Sequence, residues 1–95
     1  MTEFFTSLAA MPNIGNSLAV KLNTVGIKSP TDLINLGSEN AFIRLITLDP
    51  DACINTLYAL EGAVQGIRWH DLSDSDKQRL KSFFKSVSKS INNKP

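Results

Sequence analysis

The sequence has little of what secreted proteins and metalloproteins require. It contains one cysteine, one histidine and no internal repeat or low-complexity segment. Cys53 therefore has no partner for an internal disulfide, and no second cysteine or histidine completes a metal site. We expect Cys53 to be a free thiol that is buried in the core. We also expect that the protein binds no cofactor and resides in the reducing environment of the cytoplasm.

Long apolar runs are also absent, and none approaches the roughly 20 residues of a membrane-spanning helix. The start of the chain carries Glu3 in place of the basic residues of a signal peptide. No nucleophile with a neighbouring base and no phosphate-binding glycine loop is present. These absences predict a protein that does not associate with membranes and is not an enzyme.

What is present is typical of a small folded protein. Hydrophobic residues make up 42% of the 95 residues, which argues against disorder over most of the length. Apolar residues recur at helical spacing, and no segment alternates as a half-buried strand does. We predict an all-α fold, a small bundle of about five to six helices, with one domain over residues 1–91 and a frayed tail over 92–95.

Caps and breakers place the helix boundaries. Gly26 and Gly37 are expected to end helices, and Ser29 followed by Pro30 and Asp32 is a typical helix start. The predicted helices are Thr2–Ala10, Asn16–Thr24, one from Ser29 to about Leu36, one from about Glu39 to Leu48, one from Asp49 and Pro50 to Gly66, and a last one from near Ser73.

The most informative segment runs from Leu8 to Leu22, where a helix end, a tight apolar turn and a second helix follow one another. It resembles the helix-hairpin-helix motif, which implies that backbone amides at the start of the second helix face a nucleic-acid phosphate. The usual motif has glycine where this chain has Asn13, the non-glycine residue that best tolerates positive φ. The candidate backbone contacts here are Asn13, Gly15, Asn16, Lys21 and Lys28, with Pro12, Ile14 and Ala19 as motif residues.

A purely structural role for this hairpin is equally compatible with the sequence. Ala19 would then allow close approach of two helices, and Ile14 would fill the core. Because only Lys21 and Lys28 lie near the turn, any contact with DNA through the hairpin alone should be weak and salt-sensitive.

Charge is distributed unevenly although the net charge is +1. Residues 29–76 hold two arginines against eight acids, whereas residues 77–95 hold six cations and no acid. Lys77, Lys81, Lys85 and Lys89 recur every four residues and form a stripe beside an apolar face. The stripe is either a solvated helix face or the source of the phosphate-neutralising charge that the hairpin lacks.

The segment from Ile54 to Leu72 places a carboxylate, Glu61, within an apolar helical arc. A buried charge needs donors, and we expect them from Arg68, Trp69 Nε1 or backbone amides of a neighbouring helix end. A structural role for Glu61 is favoured over an acid–base role because no catalytic partner accompanies it. Gly62 indicates close approach of another backbone, Trp69 is expected to cover the core, and His70 to lie in a solvated loop.

Together with Tyr58, Glu61, Gly62 and Trp69, several short motifs carry a more specific resemblance. The chain resembles the C-terminal domain of the TfoX/Sxy competence regulators over about residues 8–85. The motifs that carry this resemblance are MPNIG, LNTVGI (Leu22–Ile27), SPTDLINLG (Ser29–Gly37), AFIRL (Ala41–Leu45) and INTLYALEGAVQGIRWHDL (Ile54–Leu72). The resemblance implies a bacterial helical domain in proteins that promote expression of DNA-uptake genes alongside a cyclic-AMP receptor protein. It supplies no catalytic residue, and the N-terminal domain of the full-length regulators has no counterpart here.

Two function classes remain open at this point. The first is a transcription-associated binding domain that contacts a regulator protein, DNA, or both, with weak, non-specific binding to the DNA backbone. The second is a self-associating or protein-docking scaffold without DNA binding. The sequence leaves the oligomeric state open.

Overall fold

The computed structural model describes the backbone of residues 7–92 and the side chains of residues 7–87. Within these residues the chain forms five α-helices and two short 3-10 helices and no strand, so the all-α prediction is confirmed. The α-helices are α1 (Asn16–Thr24), α2 (Pro30–Leu36), α3 (Ser38–Leu48), α4 (Ile54–Gln65) and α5 (Asp74–Asn92). The 3-10 helices are Leu8–Ala10 and Trp69–Asp71.

Several predicted boundaries are confirmed, with the expected chemistry. The Ser29 hydroxyl accepts a hydrogen bond from the Asp32 amide at 3.1 Å, with Pro30 as the first residue of α2. Gly66 follows α4 in the left-handed conformation. Ser73 caps α5 by accepting from the Asp76 amide at 3.0 Å.

The predicted helix start at Asp49 and Pro50 is wrong. The Asp49 amide donates to Leu45 O at 2.8 Å and so ends α3, while Ala52 N donates to Asp49 O at 3.1 Å and closes a turn. Helix α4 begins only at Ile54. Pro50 therefore lies in the turn that connects α3 to α4, because the Asp49 backbone forms the last hydrogen bond of α3.

The first predicted helix, Thr2–Ala10, is described only in part. Its end is a 3-10 helix over Leu8–Ala10, and residues 2–6 lie outside the described residues. The predicted tail at 92–95 lies outside them as well, except for Asn92, which ends α5.

The core is centred on α3 and α4, which pack against each other, and α5 packs against both. Phe42 on α3 contacts Phe84 on α5 with ring centroids 5.9 Å apart. In α1, Leu22 is fully buried and Leu18 is half-buried, and Val25, directly after the helix, is half-buried as well. Between residues 7 and 92 no helix has the length and apolar character needed to cross a bilayer.

Candidate nucleic-acid interface

The hairpin between the first 3-10 helix and α1 is compact. Met11 and Ile14 are buried in the core, and the Ile14 amide donates to Met11 O at 3.3 Å. Asn13 has φ 69°, the only positive φ of a non-glycine residue in the described part of the chain. Asparagine thus occupies the left-handed position that glycine takes in the usual motif, as its tolerance of that conformation allows.

The side chain of Asn13 explains why asparagine stands at this position. Its Nδ2 donates to Ile67 O at 2.9 Å and to Ala59 O at 3.4 Å, and its Oδ1 accepts from the Trp69 amide at 3.1 Å. These bonds tie the hairpin to the end of α4 and to the second 3-10 helix. The Asn13 side chain is therefore directed into the protein, and a nucleic-acid contact at the hairpin falls to the residues that follow it.

Gly62 makes this junction possible. A Cβ at position 62 would overlap Asn13 Nδ2 and would stand 2.8 Å from Ile67 O and 3.1 Å from Trp69 Cα. The close approach expected from the sequence is thus an approach of the hairpin's asparagine and the backbone after α4. Glycine is required here by space, since its φ is not among the positive values.

The start of α1 is open to solvent. Gly15, Asn16 and Ser17 are exposed, and no side chain caps the helix. Residues 4–31 contain no aspartate or glutamate. A groove of about 440 Å³ runs between the first 3-10 helix and α1, lined by Ala19, Val20 and Lys28 among others and by no acid. The amides and the acid-free groove together favour an anion at this end of the molecule.

The two lysines near the hairpin differ in their surroundings. Lys21 Nζ donates to Asp49 Oδ2 at 2.9 Å. This hydrogen bond is the largest of the effects that hold the pKa of Asp49 below its usual value, and it offsets the charge of Lys21. Lys28 is exposed on the groove, so it is the better placed of the two for a phosphate.

The lysine stripe of α5 begins beside the second 3-10 helix. Lys77 Nζ donates to His70 O at 3.4 Å, and Lys81 and Lys85 are exposed further along α5. The side chain of Lys89 lies outside the described residues. The first part of the stripe is therefore anchored next to the segment that contacts Asn13.

Three aromatic rings stack within that segment. Tyr58 and Trp69 lie with centroids 5.7 Å apart and planes 14° apart, and Trp69 and His70 with centroids 4.0 Å and planes 27° apart. Tyr58 is buried, Trp69 half-buried and His70 exposed. The stack leads from the core to the surface within the segment that contacts the hairpin through Asn13 and the lysine stripe through Lys77.

The partners predicted for Glu61 are wrong, although Glu61 is held by donors. Ser38 Oγ donates to it at 2.5 Å and Gln65 Nε2 at 2.6 Å, with Arg79 Nη2 at 3.4 Å. Trp69 is instead stacked on Tyr58, and the Arg68 side chain is exposed. Sequence reasoning missed Ser38 and Arg79 because they come from α3 and α5, whose packing on α4 no local pattern specifies.

Arg79 also contacts two further acids. Its Nη1 donates to Glu39 Oε2 at 2.7 Å, and its Nη2 donates to Asp76 Oδ1 at 3.4 Å. Arg79 thereby joins α3, α4 and α5, and three of the acids in the negative middle segment face a cation of the same chain. This arrangement is structural and uses one of the six C-terminal cations.

The prediction of a buried Cys53 is wrong, because the thiol is exposed at the N-cap of α4. The slight desolvation of this exposed sulfur acts to raise the Cys53 pKa, but hydrogen bonds from the backbone amides of Thr56 and Asn55 at the start of α4 help to lower the pKa below its usual value. The four-residue shift of the helix start accounts for the error. Within the described residues no group of three histidines, cysteines or acids is placed to hold a metal ion.

Comparison with known proteins gives a family and several solved structures that resemble this chain. The family model described as the TfoX C-terminal domain matches residues 5–84. An uncharacterized protein from Listeria monocytogenes, in a triclinic crystal form, is 48% identical with a TM-score of 0.85, covering 86% of this chain and 93% of its own.

A protein of unknown function from the same organism, in a tetragonal form, is 49% identical with a TM-score of 0.82, covering 84% of this chain and 99% of its own. No curated protein matches the chain. The family match spans well over half of the sequence and agrees with the motifs of the hairpin and of α4. The chain belongs to the TfoX C-terminal domain family.

Proposed function

We propose that this chain is a non-enzymatic binding domain that supports expression of DNA-uptake genes and contacts the nucleic-acid backbone weakly, without reading sequence. Membership of the TfoX C-terminal domain family points to a competence-related role. The observation that carries the DNA contact is a continuous chain of contacts from Asn13 to Trp69, His70 and Lys77. These contacts join the hairpin to the lysine stripe.

Each half of this surface lacks what the other supplies. The hairpin offers backbone amides at the open start of α1 but one well-placed cation, Lys28, because Lys21 is paired with Asp49. The stripe offers Lys81 and Lys85, which are exposed, but no fixed backbone donors. Phosphate contacts from both halves would hold a duplex without base contacts, and the affinity would depend on the number of phosphates neutralised.

A salt titration of fluorescence anisotropy tests this function. A labelled duplex of mixed sequence should bind at low salt, and the logarithm of the affinity should fall linearly with the logarithm of salt concentration. Replacing Lys81, Lys85 and Lys89 together with glutamine should weaken binding and reduce the slope by roughly 0.9 for each phosphate that is no longer neutralised. An unchanged slope would remove the stripe from the interface.

A matched control removes charge elsewhere. Arg44 is exposed on α3, outside the lysine stripe, and its Nη1 donates to Val25 O at 3.4 Å just after the end of α1. Arg44→Gln should leave the slope close to that of the unmodified protein. A reduction of one third or more of that seen for the triple lysine variant would mean that overall charge, and not the position of the stripe, sets the affinity.

Protein docking is the second candidate function, and exposed apolar side chains favour it. Val20 is 65% exposed, and Ile34, Ile43 and Leu48 are between 43% and 47% exposed. Isolated apolar residues are ordinary on protein surfaces, so they support protein docking less strongly than the contacts described above support nucleic-acid binding. Size-exclusion chromatography over a range of protein concentrations tests for self-association, which binding to the DNA backbone does not require.

A further inference from the structure

The stack of Tyr58, Trp69 and His70 ends in an exposed ring that the proposed duplex contact does not use. The imidazole of His70 lies 4.0 Å from the Trp69 ring, within 27° of parallel, and is exposed to solvent. Stacking orders this ring, which would otherwise rotate freely on a surface turn. An ordered, exposed, flat ring is the kind of group on which a nucleobase stacks.

We propose that His70 is a stacking platform for an unpaired base, so that this surface prefers single-stranded to double-stranded nucleic acid. The proposal rests on the proposed function and names the form of nucleic acid that it binds. In a duplex the faces of the bases are covered by their neighbours, whereas an unpaired base can leave its strand and cover a protein ring. A surface turn between helices is also more accessible to a flexible strand than to a rigid duplex.

The segment that holds His70 contacts both the hairpin and the lysine stripe. The Trp69 amide, one residue before His70, donates to Asn13 Oδ1 at 3.1 Å, and the open start of α1 at Gly15 lies two residues after Asn13. Lys77 Nζ donates to His70 O at 3.4 Å, and Lys81 comes one helical turn after Lys77. Although the exposed Asp71 follows His70 directly, elements bearing backbone amides and cations both contact this segment, and such groups follow the backbone of a single strand in sites where aromatic rings hold its bases.

The stack is held from below, which keeps the platform in place. Tyr58 is buried and lies nearly parallel to Trp69. The second 3-10 helix is closed by the Leu72 amide, which donates to Trp69 O at 3.2 Å. The ring is therefore ordered before a base arrives, and the stacking energy contributes directly to affinity.

The experiment compares an unlabelled oligothymidine with a duplex of equal length in the full chain. Trp69 is the only tryptophan, so its fluorescence reports on the stack directly. We expect the single strand to bind more tightly and to change the Trp69 emission. His70→Ala should lower the ratio of single-strand to duplex affinity at least about fivefold, and His70→Phe, which restores a flat ring, should recover that ratio.

Asn35 provides the matched control because it is exposed on α2, outside this surface. Asn35→Ala should leave the ratio unchanged, and thermal melts of each variant show that it is folded. Equal affinity for both forms, unaffected by His70→Ala, would overturn the stacking proposal while the duplex contact stands. Absence of binding to either form at low salt would overturn the proposed function and this proposal together.

Discussion

The side-chain amide of Asn13 occupies the space that a methyl group on residue 62 would take. Asparagine in the hairpin and glycine in α4 are therefore two halves of one junction. The asparagine provides a left-handed residue with three side-chain hydrogen bonds, and the glycine provides the room for them. The junction holds the hairpin against the Trp69 segment and so shapes the proposed interface.

Replacing Asn13 with glycine should destabilise the protein although it restores the residue of the usual motif. Glycine accepts φ 69° without strain, so the change isolates the side-chain bonds to Ile67, Ala59 and Trp69. Each of these part-buried hydrogen bonds contributes about 0.5–1.5 kcal/mol. We therefore expect the free energy of unfolding to decrease by about 1–3 kcal/mol. Urea unfolding measures it. Asn13→Ala should be less stable by roughly 1 kcal/mol more through backbone strain, and equal stability of Asn13→Gly and the unmodified protein would show that the bonds are dispensable.

Replacing Gly62 with alanine should lower stability by about 1–3 kcal/mol. Helix propensity alone predicts the opposite sign, since alanine is favoured over glycine in a helix by about 1 kcal/mol. The added Cβ would overlap Asn13 and stand 2.8 Å from Ile67 O, and this crowding outweighs the gain in helix propensity. Gly15→Ala compares the effect of an unobstructed Cβ, because a Cβ there meets nothing within 4 Å, and its cost is limited to the preference for glycine over alanine at the N-cap of α1. A rise in melting temperature for Gly62→Ala would contradict the packing described.

Glu61 should matter more for stability than its neighbour Glu39, although both contact Arg79. The Glu61 side chain is 12% exposed and holds Ser38 as well, whereas Glu39 is 37% exposed. Glu61→Ala should cost about 1.5–3 kcal/mol, and Glu39→Ala at most about 1 kcal/mol. Thermal unfolding of the two variants compares them. Equal, small effects would show that Glu61 is not a structural anchor.

Acid should destabilise the protein in part through Asp76. The hydrogen bond from Gln65, followed by the contact with Arg79, lowers the pKa of Asp76 against the opposing effect of burial. A carboxyl with a lower pKa in the folded state stabilises the fold above its unfolded pKa of about 3.9, and the stabilisation is lost as pH falls through the folded pKa. Asp76→Asn should therefore lower the melting temperature at pH 7 and flatten its fall below about pH 4. Parallel melting curves against pH for the two proteins would contradict this.

Local signals in the sequence predicted most of the fold, and contacts between distant elements account for what they missed. Ser29, Pro30 and Gly66 mark helix ends through their own side chains or backbone, so the sequence predicts α2 and the end of α4 correctly. It does not predict the start of α4, because Asp49 closes α3 through its backbone and also accepts a hydrogen bond from Lys21.

The candidate site likewise combines features that the local sequence predicts with contacts between distant elements that it does not. The hairpin and the left-handed Asn13 follow from the residues of the turn. The bonds from Asn13 to Ile67 and Trp69 cross more than 50 positions of sequence, and the donors of Glu61 on α3 and α5 come from two other helices. No periodicity within one segment specifies such contacts, so the link between the hairpin and the lysine stripe emerges only from the folded chain.

The most direct measurement of the nucleic-acid surface is a titration of the nitrogen-15-labelled protein with a short oligonucleotide, followed through its backbone amide signals. The amides of Gly15, Asn16 and Ser17 should shift most, together with those of His70 and Lys81, while the signals of α2 stay in place. Shifts confined to α2 and α3, or no shift at low salt, would contradict the account and leave protein docking as the function of this domain.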